Sequence, residues 1–153
     1  MRDRERFLSG RYIATLATEN DDSSSHLTAV WFLYEGGAFF IPTGNATRKA
    51  RNVAQRGRAA VMVDARTRGE LQGISASGAA DLLTGEEALR LNARIHRRYL
   101  TENGLQDPGL GQPITSSDNV TVRLRPERWN SWDMSVFFGD LFASPDLVYP
   151  LDG

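Results

Sequence analysis

Hydrophobic and polar positions first fall into a β-like order at Tyr12. Tyr12 to Thr18 (YIATLAT) is rich in apolar and β-branched residues, types that suit a pleated, half-buried surface. The polar run Glu19 to Ser25 closes that strand with a turn. His26 to Tyr34 (HLTAVWFLY) predicts a second strand, Glu35-Gly36-Gly37 a tight hairpin, and Ala38 to Ile41 a third strand. Short connections make the three an antiparallel meander. Pro42 has no N–H to give a central ladder, so the third strand is expected to end there.

The period then changes. After the turn Thr43-Gly44-Asn45, residues Ala46, Ala50, Val53 and Ala54 share one face of a helix that Gly57 stops. At about 100° per residue, Lys49 lies at the margin of that face, while Arg48 and Arg51 point away from it. Ala59 to Val63 (AAVMV) predicts a fourth, central strand, Asp64 to Glu70 a charged turn, and Leu71 to Leu83 (LQGISASGAADLL) a long strand of small residues. Thr84-Gly85-Glu86-Glu87 reads as a capping box, opening a helix to about Leu100 that buries Ala88, Leu91, Ile95 and Tyr99. Residues 102 to 118 carry Gly104, Pro108, Gly109, Gly111 and Pro113 and predict a loop with little regular structure. Asn119 to Trp129 alternates again, with Val120, Val122 and Leu124 facing one way, as a final strand. A short helix is expected over residues 2 to 9. Six mostly antiparallel strands with two inserted helices describe a mainly β protein with few helices, a closed or partly split barrel. The segment 130–153 holds Trp132, Phe137, Phe138, Leu141, Phe142 and Tyr149, too apolar for a free tail. It is expected to pack on the barrel, on a partner subunit, or over a ligand cavity.

Composition narrows the function. A chain of 153 residues fits a single domain, 1–153, yet is short for enclosing a ligand alone, so a homodimer is expected. A net charge of −1 opposes general nucleic-acid binding, which needs a surplus of basic groups over a face. The chain has no cysteine, and its two histidines, His26 and His96, are far apart in sequence, so no metal site is expected. No apolar run approaches the roughly 20 residues of a membrane span, and no signal-peptide core follows the charged start. A cytoplasmic protein is the expectation.

Candidate chemistry concentrates in Phe39 to Asn52 (FFIPTGNATRKARN), where a strand, a tight turn and a helix start meet. Such a junction aims free N–H groups and the positive end of the helix dipole at one point, as a phosphate requires. Thr43 and Thr47 add hydroxyls, and Arg48 and Lys49 add charge; Lys49 is the only lysine in the chain. The alternative is an ordinary solvated basic helix. Trp31, Trp129 and Trp132 are either core or site residues. Gln72 and Gly73 open the small-residue strand, where a planar ring can approach. His26 and Asp133 are the titratable groups near these segments, each with a surface or structural role as its alternative, and no catalytic residue is assigned.

ATLAT…HLTAVWFLYEGGAFFIPTG…TRKARNV…AAVMV, followed by GISASGAADLL and by RWNSWD at Arg128 to Asp133, resembles the pyridoxamine-5′-phosphate-oxidase-like split-barrel superfamily of flavin and deazaflavin proteins. The likeness spans about 100 residues. It implies a six-stranded antiparallel split β-barrel of the FMN-binding kind. It also implies that Thr43, Thr47, Arg48 and Lys49 hold a cofactor phosphate and that the strand backbone at Ala29, Val30 and Trp31 lines the ring. Trp132 is implied to approach a cofactor bound mainly by the partner chain. Flavin oxidases of this kind place an arginine and a lysine where His26 and, approximately, Trp31 stand here, so the resemblance points to the coenzyme F420-dependent oxidoreductase branch, with FMN as the alternative cofactor. A non-catalytic flavin or deazaflavin carrier is the rival from another class; an RNA-binding barrel is opposed by the charge. A small-molecule substrate is expected, with no nucleic acid and no membrane as partner.

Overall fold

A computed structural model describes residues 3–65, 71–115, 119–142 and 144–149. Period-two burial builds one curled, wholly antiparallel sheet whose concave side is the core. Its strands are β1 (Ala14–Glu19), β2 (Ser25–Val30), β3 (Leu33–Glu35), β4 (Ala38–Gly44), β5 (Arg58–Ala65), β6 (Gln72–Leu83) and β7 (Asn119–Asp133). They lie in the order β2-β1-β5-β6-β7-β4-β3. Leu16, Phe32, Phe39, Ile41, Val63, Ile74, Val122 and Leu124 are almost wholly enclosed. Six helices decorate the sheet: α1 (Arg4–Leu8), α2 (Arg48–Arg56), α3 (Gly85–Tyr99), α4 (Glu102–Gln106), α5 (Gly111–Ile114) and α6 (Ser135–Phe142). This is the expected mainly β split barrel, with seven strands in place of six.

The extra strand comes from a break in the predicted second strand. β2 stops at Val30 and β3 begins at Leu33. Between them the chain passes from one edge of the sheet to the other, so β2 pairs with β1, β3 pairs with β4, and the expected three-strand meander does not form. Tyr12 belongs to the approach to β1 rather than to the strand.

β4 also departs from expectation by running through Pro42 to Gly44. β3 covers β4 only from Ala38 to Phe40, while β7 pairs along it to Gly44, with Pro42 opposite Thr121. Past Phe40 no described strand lies on the other side, so the missing N–H breaks no second ladder. β5 is an inner strand, as predicted, though it alternates in burial and continues through Asp64 and Ala65; the rest of the predicted charged turn, 66–70, lies outside the described residues.

The helices correct the sequence reading in detail. In α2 the buried residues are Ala50, Asn52 and Val53, while Ala46 and Ala54 are exposed. Asn52 turns inward because its amide donates to the Thr18 hydroxyl (3.1 Å) and to Asn20 Oδ1 (3.0 Å). Thr84 is the N-cap of α3 but makes no side-chain cap bond; Gly85, at φ 66°, turns the chain into the helix. The buried face of α3 carries Asn92 and His96 beside Ala88 and Ile95, whereas Leu91 and Tyr99 are half-buried. Asn92 is there to be hydrogen-bonded: it donates to Val120 O (3.1 Å) and accepts from the Thr121 hydroxyl (2.6 Å). The predicted loop contains α4 and α5, with Thr101 capping α4 and the Asp107 carboxylate accepting from Gly109 N.

The C-terminal segment begins as strand, because β7 pairs with β6 as far as Asp133 opposite Gln72. α6 then stands away from the core, with Val136 75% and Phe137 76% exposed.

Gly78 sits at the register shift between β6 and β7, where a Cβ would lie 2.1 Å from Arg125 O and 2.8 Å from Glu127 N. Both obstacles are backbone, so Gly78→Ala is expected to cost about 2 kcal/mol or more and to lower the melting temperature by several degrees in a thermal melt.

Candidate functional site

The junction of β4 and α2 is held by its two threonines. Thr47 is the N-cap of α2, with φ −71° and ψ 154°, and its hydroxyl accepts from Ala50 N (3.4 Å) while donating to Gly44 O (2.8 Å). The Thr43 and Thr47 hydroxyls are 3.0 Å apart. Since a hydroxyl carries one proton and that of Thr47 goes to Gly44 O, Thr43 is the donor of this pair. Both threonine protons are thus engaged in shaping the turn, which points the N-terminus of α2 into a cleft of about 390 Å³.

Lys49 is the second residue of α2, in its first turn, and lines that cleft half-buried. Burial lowers its pKa from the ordinary lysine value, and among the described residues no carboxylate is paired with it. A part-desolvated ammonium without a counter-charge favours an incoming anion. Arg48 is exposed and outside the cleft lining, as its helical phase predicted.

Opposite elements complete the walls. Ala29, Val30 and Trp31 come from the end of β2, and Ile13 from the approach to β1. Trp31 stacks on Tyr99 of α3 with centroids 5.1 Å apart and planes 3° apart, and meets His96 edge-on at 6.3 Å. The Tyr99 hydroxyl donates to Tyr12 O (2.8 Å) and accepts from Phe32 N (3.4 Å), which fixes the strand exit that carries Trp31. Pro113, Ile114 and Asn119 close the remaining side. The Asn119 amide donates to Ile114 O (2.6 Å), holding the end of α5 against β7.

Six of the eight predicted binding residues therefore share one cleft: Thr43, Thr47, Lys49, Ala29, Val30 and Trp31. Arg48 and Trp132 do not line it. Trp132 lies opposite Gly73 in the β6–β7 ladder, and its ring fills the place a Cβ on Gly73 would take, at 2.2 Å. The close approach expected at Gly73 is thus to Trp132. Trp129 packs edge-on to Tyr34, with the Arg4 guanidinium 4.0 Å above its ring, which is a packing role. His26, on β2, pairs with Thr18 of β1 and is not among the cleft residues. Asp133 accepts from Ser135 N (3.2 Å) and Ser135 Oγ (2.5 Å), which leads the chain into α6. Sequence reasoning missed His96, although its position four residues after Asn92 on the buried face of α3 is a usable signal. Pro113 and Ile114 were missed because α5 was read as loop.

The family described as Pyridoxamine 5'-phosphate oxidase matches residues 3–133. The chain belongs to this family. Among solved structures, the conserved hypothetical protein Rv2991 from Mycobacterium tuberculosis is 30% identical, with 84% of this chain and 81% of that chain covered and a TM-score of 0.67. An F420 reductase is 20% identical over 82% of this chain and 94% of its own, with a TM-score of 0.66. HutZ, the heme storage protein from Vibrio cholerae, is 17% identical over 84% and 90%, with a TM-score of 0.61. The last two likenesses establish the fold alone. No curated protein matches the sequence. No helix among the described residues is long and apolar enough to cross a membrane.

Burial lowers the pKa of His96 from its ordinary 6.5. The unfolded chain then binds more protons than the folded one just below that value, so stability rises with pH across this window. Chemical denaturation at pH 7.5 and pH 5.5 is expected to show a loss of stability on acidification that His96→Gln reduces.

Proposed function

We propose that the cleft binds the phosphate of a flavin-type cofactor, coenzyme F420 in preference to FMN, and that the protein is an oxidoreductase moving hydride between the deazaflavin and a small unsaturated or nitro-containing molecule. The observation that carries this reading is Lys49, a half-buried ammonium with no carboxylate partner among the described residues, beside the capped N-terminus of α2. That donor set fits a phosphate. Thr47 holds the helix start in place, Thr43 holds Thr47, and Lys49 supplies the charge. Arg48 is exposed and contributes long-range attraction rather than a contact in the cleft.

The second wall suits a planar ring. β2 is the last strand of the sheet, so among the described residues its outer edge has no ladder partner, and the backbone groups near Ala29 to Trp31 that point away from β1 are available to ring heteroatoms. Preference for F420 rests on His26 and Trp31 standing where flavin oxidases of this family have basic residues, and on the RWNSWD segment at Arg128 to Asp133. When bound, such a cofactor supplies the hydride chemistry itself, so the chain's part is to orient it and exclude water.

A homodimer goes with this reading. Beside the cleft Leu27 is 63% and Ile13 52% exposed, and α6 adds Val136 and Phe137. Scattered apolar side chains are ordinary, but these border an open cleft and an uncovered helix that a second copy would cover. Light scattering at micromolar concentration is expected to give twice the mass of the 153-residue chain; a monomeric mass refutes the pairing.

Fluorescence titration separates the cofactors: saturable F420 binding at micromolar concentrations without FMN binding supports the proposal, and the reverse result replaces F420 by FMN. Lys49→Ala is expected to weaken cofactor binding by roughly 1.5–3 kcal/mol, the loss of one charge-assisted bond, with Arg48→Ala weaker in effect. Unchanged affinity in Lys49→Ala defeats the phosphate assignment. Oxidation of reduced F420 by a panel of electrophiles distinguishes an enzyme from a carrier.

A further inference from the structure

His96 and Asn92 lie one turn apart on the buried face of α3, and their surroundings differ. Asn92 is satisfied on both sides by β7, through Val120 O and the Thr121 hydroxyl. His96 is only 3% exposed and its ring makes no hydrogen bond to another described residue, yet its ring nitrogens are not fully enclosed: among the described residues only the side-chain atom Arg98 Nε is enclosed without a partner. Its ring borders the cleft. Ring nitrogens that lack a protein partner and keep open surface beside a cleft are placed to take a partner from it. Here Trp31 sets the ring edge-on at 6.3 Å and the cleft is the space left for a partner.

We infer that His96 is a binding residue of the cleft, hydrogen-bonding an uncharged polar group of the bound molecule, such as a hydroxyl on a polyol chain. This rests on the reading of the cleft as a site for a flavin-type cofactor. A neutral imidazole offers one donor and one acceptor, and a hydroxyl offers the same pair. The phosphate has a better site at Lys49 and the α2 N-terminus, on a different element. Burial disfavours a charged imidazole, and the neighbours Trp31, Pro113 and Ile114 are apolar. The cleft is thus divided, with charge from α2 and neutral hydrogen bonding from α3.

The test uses matched ligands with and without phosphate: F420 beside the phosphate-free deazaflavin, and FMN beside riboflavin. His96→Phe is expected to weaken both members of the bound pair by roughly tenfold, the loss of one neutral hydrogen bond. Lys49→Ala should weaken only the phosphorylated member. His96→Gln, which keeps a donor and an acceptor, should recover part of the loss. Wild-type affinity of His96→Phe for both members overturns the inference, as does a loss confined to the phosphorylated one. A variant-free measurement covers a His96→Phe that does not fold: the His96 ring nitrogens, followed by 15N NMR, should shift when the phosphate-free ligand is added to wild-type protein, and no shift on saturation overturns the inference. Failure of wild-type protein to bind any of the four ligands defeats the cofactor reading together with this one, whereas binding that is indifferent to His96 defeats this one alone.

Discussion

The hydroxyl of Tyr99 holds together the place where the barrel splits. It donates to Tyr12 O just ahead of β1 and accepts from Phe32 N just ahead of β3, while its ring stacks on Trp31. Those contacts join the approach to one edge of the sheet, the crossover to the other edge, and the C-terminal turn of α3. A crossover inside an apolar run would otherwise leave backbone polar groups unpaired at a half-buried position, which is costly. Arg98, next in line on α3, adds bonds to the carbonyls of Leu8, Ser9 and Gly10, so the same turn also anchors the chain behind α1.

The cleft follows from that crossover. Because β2 and β4 are at opposite sides of the split, their ends can face each other across open space instead of forming a ladder. α2 starts from the end of β4 and brings Lys49 to one wall; α3 brings His96 to another. Charge elsewhere on the surface is handled differently. Arg123 and Arg125 share Asp81 across β6 and β7, Arg94 forks onto Glu35, and Arg58 pairs with Glu127. Beside these paired arginines, Lys49 is a half-buried cation with no carboxylate partner among the described residues.

Some of this was legible without coordinates. Apolar and β-branched content located β1 and β5, a run of small residues β6, and alternation the first part of β7, where burial of one sheet face imposes a period of two. The Thr43-Gly44-Asn45 turn and Gly57 bracketed α2 and helical phase placed Lys49, because turns and helical phase are local properties, whereas Thr47 as the cap came only with the structure. The family likeness rested on the same run and correctly set the fold. What local rules could not show was which strands are neighbours. His26 to Tyr34 has the composition of one continuous strand, and only the Tyr99 contacts from 67 residues away divide it. Pro42 was misjudged for a related reason: whether a strand tolerates proline depends on which of its edges is covered.

The sequence by itself determined the alternation of apolar positions, the strand-turn-helix at Phe39 to Asn52, and a lone lysine at the head of a capped helix, all set by residues within a few positions of each other. Tertiary structure alone decided that Trp31, Lys49 and His96 face one cleft, that Trp132 occupies the space over Gly73, and that Val136 and Phe137 of α6 are exposed. Each of these depends on long-range antiparallel pairing and on desolvation by distant elements, and neither is encoded in any short stretch of the chain.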